Sequence, residues 1–279
     1  MPNKREVNVF KVGGAVVEDH AQLTSLIEQF AKIEGHKVLV HGGGRSATKM
    51  ATRLGIESHM VEGRRVTDEE MLSVVTMVYG GLVNKQIVAR LQAAGVNAIG
   101  LTGADMNIIR AHRRPRKMVT FQDGHTEEVD YGWVGDVDHV DGAALHSILQ
   151  NGGVPVVAPL THDGEGHLLN TNADTMAQET ACGLVACQQQ MTEERIGEVT
   201  LTYCFEKPGV LRDPDDDNSV IPLITEQSYA ELKSEGIVSG GMIPKLDNAF
   251  AALQRGVSRV VITAASDIEG KKGTTIKRS

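Results

Sequence analysis

The sequence predicts an α/β protein: an open, mainly parallel sheet with helices on both faces. Three observations lead there. Short runs rich in β-branched residues alternate with longer segments of helical period along almost the whole chain. Most of these runs lack an alternating polar face, as strands buried on two sides do. The first two end directly in glycines, Val12-Gly13-Gly14 and His41-Gly42-Gly43-Gly44, where a strand is expected to turn into a helix.

The first strand is residues 7–12. A helix follows, with Asp19 as N-cap, Gln22 three positions on, Leu23, Leu26, Ile27 and Phe30 on one face, and Gly35 as its stop. Residues 37–41 form the second strand and complete a βαβ unit. A second helix is expected to start at Thr67, with Glu70 closing a capping box, and to carry Met71, Leu72, Val74, Val75 and Val78 up to Gly80-Gly81. That much apolar surface implies two buried faces, the second against either a partner subunit or the chain's own core. Further strands are expected at 98–102, 154–158, 199–203 and 259–263. Residues 110–135 break the alternation: a basic run (Arg113, Arg114, Arg116, Lys117), Val119-Thr120-Phe121, Asp123-Gly124 and a return through Val129 and Tyr131 read as an inserted hairpin. The acidic stretch 213–217 reads as a solvated turn.

With 279 residues the chain can bury a full core, as one domain or as two lobes sharing a sheet. Its net charge of -8 argues against a nucleic-acid partner, so an anionic ligand must be met by a local cluster of cations. Three cysteines, Cys182, Cys187 and Cys204, make no disulfide framework and no zinc pair, and none of the ten histidines stands in metal-ligand spacing. His41, beside its glycines, reads as structural. The first apolar segment is too short for a leader, and no stretch is expected to span a membrane. A cytoplasmic protein is the expectation.

Glycines after strands let backbone N–H groups approach an anion, and the following helix N-terminus adds partial positive charge. Both glycine turns are therefore candidates to face phosphate. Gly42-Gly43-Gly44-Arg45-Ser46-Ala47 also fits G-x-G-x-x-A, which keeps a dinucleotide-binding module open. An esterase would need a G-x-S-x-G elbow and a P-loop enzyme a G-x-x-x-x-G-K-[ST] run, and the chain has neither.

Lys11-Val12-Gly13-Gly14, His41-Gly42-Gly43-Gly44, Gly63-Arg64-Arg65-Val66-Thr67, Asn170-Thr171-Asn172-Ala173-Asp174 and Gly240-Gly241-Met242-Ile243-Pro244-Lys245 occur in the order and spacing of the amino-acid-kinase family, which the chain resembles over almost its whole length. The third and fourth motifs resemble its acetylglutamate branch. The resemblance implies an eight-stranded, mainly parallel sheet between helix layers. An N-terminal lobe, 1–185, would serve acyl-amino-acid binding and dimerisation, and a C-terminal lobe, 186–279, would bind ATP; they would meet near 175–195. It implies ATP-dependent phosphorylation of the side-chain carboxylate of N-acetyl-L-glutamate, with Mg2+ carried by the nucleotide, no protein metal ligand, and a homodimer. Ten residues precede Lys11, which by resemblance implies no arginine-responsive N-terminal helix.

Position by position, Lys11 and Lys245 resemble the lysines that neutralise the transferring phosphoryl group, and Asp174 the carboxylate that holds both. Gly13, Gly14, Gly43 and Gly44 would donate N–H groups, Arg65 would grip the substrate α-carboxylate, and Asn170 would bind its amide portion, with Asn172 supporting them. Glu206, Lys207, Pro208, Gly209, Val210 and Leu211 resemble the adenine and ribose turn, and Ile237, Val238 and Ser239 the facing loop. That turn departs from the family's usual Ser or Thr followed by Asp, having Phe205-Glu206 instead. An N-succinyl or other acyl-glutamate remains an alternative substrate, its extra carboxylate paired with the basic run 110–117.

Overall fold

The structure is a computed structural model that describes residues 6–121, 123–191 and 197–278. Eight strands form one sheet: β1 (Glu6–Val12), β2 (His36–His41), β3 (Ala98–Leu101), β4 (Val154–Val157), β5 (Glu198–Phe205), β6 (Leu223–Ile224), β7 (Arg259–Ala264) and β8 (Thr274–Ile276). Their order across the sheet is β6-β8-β7-β5-β1-β2-β4-β3. All neighbours from β7 to β3 pair in parallel, and β8 runs antiparallel to β7. The six expected strands are present, each within two residues of its expected bounds.

β1 sits mid-sheet, with later strands of the chain on one side and earlier ones on the other. Ligands of open parallel sheets lie beyond the strands' carboxyl ends at such a reversal. Alternation along β1 sends Val7 and Val9 into one core and Phe10 and Val12 into the opposite one. Lys11 thus points toward the face of Val7 and Val9, which helix α6 (Ala173–Gln190) covers.

Of the two expected helices, the first starts where it should and the second differs at both ends. Asp19 caps its helix (His20–Lys32) as expected, accepting from the amides of Ala21 and Gln22. The next capping position is Asp68, whose carboxylate accepts from Met71 N, whereas Thr67 is fully buried with its hydroxyl committed to Asn170 and the Arg65 carbonyl. Gly80-Gly81 does not stop this helix: it runs from Glu69 to Ala93 through a π-helical stretch, Thr76–Val83. By length and composition it could cross a membrane, closer to a span than the sequence reading allowed. Its Met71, Val74, Val75, Val78, Val83, Ile87 and Leu91 instead fill the core beneath the sheet.

A second sheet of four strands, Leu168–Asn170, Leu160–His162, Ile109–Arg113 and Gly135–Val140, was not expected. The hairpin was, and pairs Lys117–Thr120 with Thr126–Val129. The acidic stretch is a turn in which Asp213 and Asp216 accept from the backbone amides of Asp215 and Asn218.

Candidate active site

Three cavities adjoin beyond the carboxyl ends of β1, β2 and β5. The first, about 180 Å³, is lined by Gly42, Gly43, Gly44, Arg64, Arg65, Tyr79, Asn170 and their neighbours. The second, about 280 Å³, holds Lys11, Gly13, Gly14, Gly44, Arg45, Glu206 and Lys245. The third, about 200 Å³, is an apolar slot between Phe205, Val210, Leu211, Ile237 and Met242. Gly44 is common to the first and second, and Phe205 to the second and third, so the three form one continuous cleft.

The middle cavity carries the charge. Lys11 Nζ lies 2.7 Å from Asp174 Oδ1 and Lys245 Nζ 3.1 Å from Asp174 Oδ2. Lys245 stands in the first turn of helix α8 (Met242–Gln254), and Asp174 in the first turn of α6. Asn172 caps α6, its side-chain oxygen accepting from the amides of Asp174 and Thr175, which fixes the carboxylate's position. Burial works to raise the Asp174 carboxyl, but the ammonium groups of Lys11 and Lys245 outweigh it and hold the group below its ordinary value. One carboxylate therefore holds two cations with a combined charge of about +1 left for a ligand.

The glycines divide into two kinds. Gly14 and Gly44 are the first residues of helices, and first-turn amides have no intrahelical acceptor. A Cβ on Gly14 would lie 3.4 Å from Gly43 N and 3.5 Å from Gly44 N, so the two turns bring their amides together. Gly13 differs from expectation: its N–H is spent on the Cys204 carbonyl at 3.0 Å, continuing the β1–β5 ladder, and leaves nothing to donate to phosphate. Gly43 must lack a side chain, because a Cβ would stand 2.7 Å from the ring of Tyr79.

On the first cavity's wall, the buried Arg65 guanidinium donates to the Ser58 hydroxyl, the Gly44 carbonyl (2.9 Å) and Thr48 Oγ1 (2.8 Å), with no carboxylate partner among the described residues. It is a fixed cation waiting for an anion. Asn170 Nδ2 donates to Thr67 Oγ1 at 2.9 Å, so its side-chain oxygen remains to accept. His41 is fully buried, its Nδ1 donating to the Gly42 carbonyl (2.8 Å) and its Nε2 accepting from Asn84 (3.2 Å). Burial drives its pKa down to about 4, so it is a neutral support for the turn.

The chain as a whole is similar to known proteins. The family model described as Amino acid kinase family covers residues 6–264. The chain belongs to the amino acid kinase family. Within it, the chain is 59% identical over 275 residues to an acetylglutamate kinase of Bacteroides fragilis, covering 99% of this chain and 98% of that one. It is 58% identical to an acetylglutamate kinase of Bacteroides thetaiotaomicron, covering 99% and 100%. A crystal structure of a Streptococcus mutans UA159 protein superposes with TM-score 0.75 at 26% identity, covering 97% of this chain and 98% of that one. The chain is a kinase of the acetylglutamate kinase type, and neither the dinucleotide module nor an N-succinyl or other acyl-glutamate substrate is favoured by these relatives.

Of the residues singled out in the sequence, Lys11, Gly14, Gly43, Gly44, Arg65, Asn170, Asp174 and Lys245 converge on the first two cavities. Lys207, Gly209, Val210, Leu211, Ile237 and Ser239 line the third. Glu206 faces the middle cavity instead, paired with Arg45 at 3.0 Å. Pro208 is not among the third cavity's lining, and the Val238 side chain is in the core. Tyr79, Arg64, Thr171, Arg45 and Met242 were missed. Arg64, Arg45, Thr171 and Met242 stand inside the quoted motifs but had no role assigned to them, and Tyr79 stands outside them, as the single aromatic in its aliphatic run. The histidine spacing also did not reveal Asp163, Glu165 and His167, whose ligand atoms lie within 4.8 Å of one another on an exposed loop.

Proposed function

We propose that this kinase transfers the γ-phosphoryl group of ATP to the side-chain carboxylate of N-acetyl-L-glutamate in the middle cavity, with the acyl amino acid in the first and the nucleotide in the third. The observation that carries this is the pair Lys11 and Lys245 on Asp174, set between a polar cavity whose Arg65 guanidinium has no carboxylate partner among the described residues and an apolar slot. The substrate carboxylate, with an ordinary pKa near 4.3, is already ionised at neutral pH and needs no general base. One of its oxygens bonds to the γ-phosphorus while the bond to the bridging oxygen breaks, and ADP leaves with that electron pair. The obstacle is repulsion between two anions. A cation at 4 Å and an effective dielectric near 20 contributes roughly 4 kcal/mol before desolvation, so two lysines and the amides of Gly14, Gly43 and Gly44 are of the right order. Arg65 holds the α-carboxylate and the Asn170 oxygen accepts from the acyl N–H.

Mg2+ would supply charge compensation to the nucleotide's phosphates, entering with them rather than in a protein cage. The middle cavity's lining contains one carboxylate, Glu206, already paired with Arg45, which fits an ion held by phosphates and water. The lobes 1–185 and 186–279 agree with the cavities: the first draws only on residues 42–173 and the third only on 205–242. Residues 192–196, in the expected junction, lie outside the described residues. A homodimer would cover Met77, Leu82 and Ile99, exposed on and beside the long helix. Three unpaired cysteines suit the reducing cytoplasm.

The test is ATP turnover with N-acetyl-L-glutamate in the presence of hydroxylamine, which traps an acyl phosphate as a hydroxamate. The reading expects one hydroxamate per ADP; ADP release without hydroxamate would refute carboxylate attack.

A further inference from the structure

The middle cavity holds a cation that the reaction above does not employ. Of the charged side chains lining it, Lys11 and Lys245 share Asp174, and Arg45 is paired with Glu206 at 3.0 Å. These two partners are 161 positions apart in the chain. Arg45 directly follows Gly44, which the acyl cavity shares, and Glu206 directly follows Phe205, which the apolar slot shares. The pair therefore reaches from the acyl side to the nucleotide side, across the place given to the phosphates.

Stability does not explain a cation at this position. Arg45 is the second residue of the helix Gly44–Leu54, where amides without acceptors already carry partial positive charge, and no acidic residue stands in that turn to compensate. The carboxylate nearest in the same region, Glu18, is taken by Ser46 and Lys49. With side chains 64% and 48% exposed, the Arg45–Glu206 pair is screened by water, contributes little and exchanges easily. Phosphate oxygens carry more charge than a carboxylate and suit the fork of a guanidinium. Glu206, in contrast, places a negative charge in a cavity that is to receive anions, and Arg45 offsets it.

We propose that Arg45 is a polyphosphate-binding residue parked on Glu206: when ATP enters, its guanidinium leaves that carboxylate for the non-bridging oxygens of the β- and γ-phosphates, and it returns when the nucleotide departs. The inference rests on the reading that places those phosphates in the middle cavity. It gives the two residues opposite signs, because Arg45 strengthens the hold on the phosphates and Glu206 competes with them for it. A clasp that merely joined the two sides of the cleft would give both residues the same sign, since losing either one breaks the same bond.

The experiment titrates the parent, Arg45→Gln, Arg45→Lys and Glu206→Gln enzymes calorimetrically, in buffer containing Mg2+, with the non-hydrolysable ATP analogue AMP-PNP and with AMP. The readout is the ratio of the two affinities, in which any general change in the nucleoside pocket cancels. In Arg45→Gln the preference for AMP-PNP over AMP should fall about tenfold, as for loss of one charge-assisted contact, and Arg45→Lys should recover part of it. In Glu206→Gln the preference should rise about two- to fivefold, the scale of an exposed ion pair that no longer competes. A fall in both Arg45→Gln and Glu206→Gln would overturn the inference, as would an unchanged preference in Arg45→Gln. A parent enzyme that binds AMP-PNP no more tightly than AMP would remove the inference together with the reading beneath it, since the phosphates would then not sit among the lysines and glycine amides.

Discussion

The two ends of the catalytic cleft are built from different materials. At the acyl end the functional groups are buried, polar and held by several bonds each: Arg65 by Ser58, Gly44 and Thr48, and Asn170 by Thr67 and, through its N–H, the Trp133 carbonyl. At the nucleotide end Phe205, Val210, Leu211, Ile237 and Met242 make an apolar slot, and its Lys207 is exposed and paired with Asp217. A buried polar group left without its partner costs about 1–3 kcal/mol, whereas an apolar slot responds to area at about 25 cal/mol per Å². The acyl end therefore discriminates by chemistry and the nucleotide end by shape. The lysines on Asp174 stand where the two meet.

That contrast can be broken in steps. The largest effect belongs to the junction: Lys11→Ala should lower kcat by about 10² to 10³-fold with a smaller change in either KM, as for loss of one preorganised donor. A kcat close to the parent's would remove Lys11 from the mechanism. Next, Arg65→Ala should raise the KM of the acyl amino acid by about 10 to 100-fold and leave the KM of ATP alone, since its grip serves ground and transition states alike. Equal rises in both KM values would dissolve the distinction between the ends.

Acid should loosen the acyl end first. Folding lowers the His41 pKa from 6.5 to about 4, chiefly by burial, so the unfolded chain takes up that proton more readily than the folded one. The stability this gives is complete above pH 6.5 and is lost as the pH falls toward 4. By pH 5 the loss is about 2 kcal/mol. Urea titrations between pH 7.5 and 5 should show a shallower decline for His41→Gln; the same slope in both proteins would contradict the assignment. The smallest effect is expected from Met242→Ala, which should raise the KM of ATP about fivefold by removing apolar contact while sparing the acyl KM.

Much of this was legible in the sequence, for identifiable reasons. The six long strands announce themselves by their β-branched runs, and Lys11, Asp174 and Lys245 by motifs that keep their order although far apart in the chain. β6 and β8 are only two and three residues long, too short for any period to show. Thr67 and Asp68 are both competent caps; the demand of Asn170, more than a hundred positions later, decided between them. The glycine pair at 80 and 81 reads locally as a stop, yet packing on the core carries the helix through it and delivers Tyr79 to Gly43. Gly13 looked like a phosphate donor because the claim on its amide comes from Cys204, in a strand nearly two hundred residues away. In the basic run, Arg113 and Arg116 find Asp130 and Glu128 within the insertion and Arg114 finds Asp136 just after it, a pairing that charge alternation suggests, whereas Lys117 pairs with Glu62, 55 positions earlier, which no local pattern reveals.

The most direct test is turnover by Lys245→Ala at saturating N-acetyl-L-glutamate and ATP, because this lysine comes from the nucleotide side yet reaches Asp174 on the helix that covers Lys11. A fall of about 10² to 10³-fold, partly recovered in Lys245→Arg, is what two cations sharing one phosphoryl group require. Turnover within about threefold of the parent would show that phosphoryl transfer does not depend on their convergence.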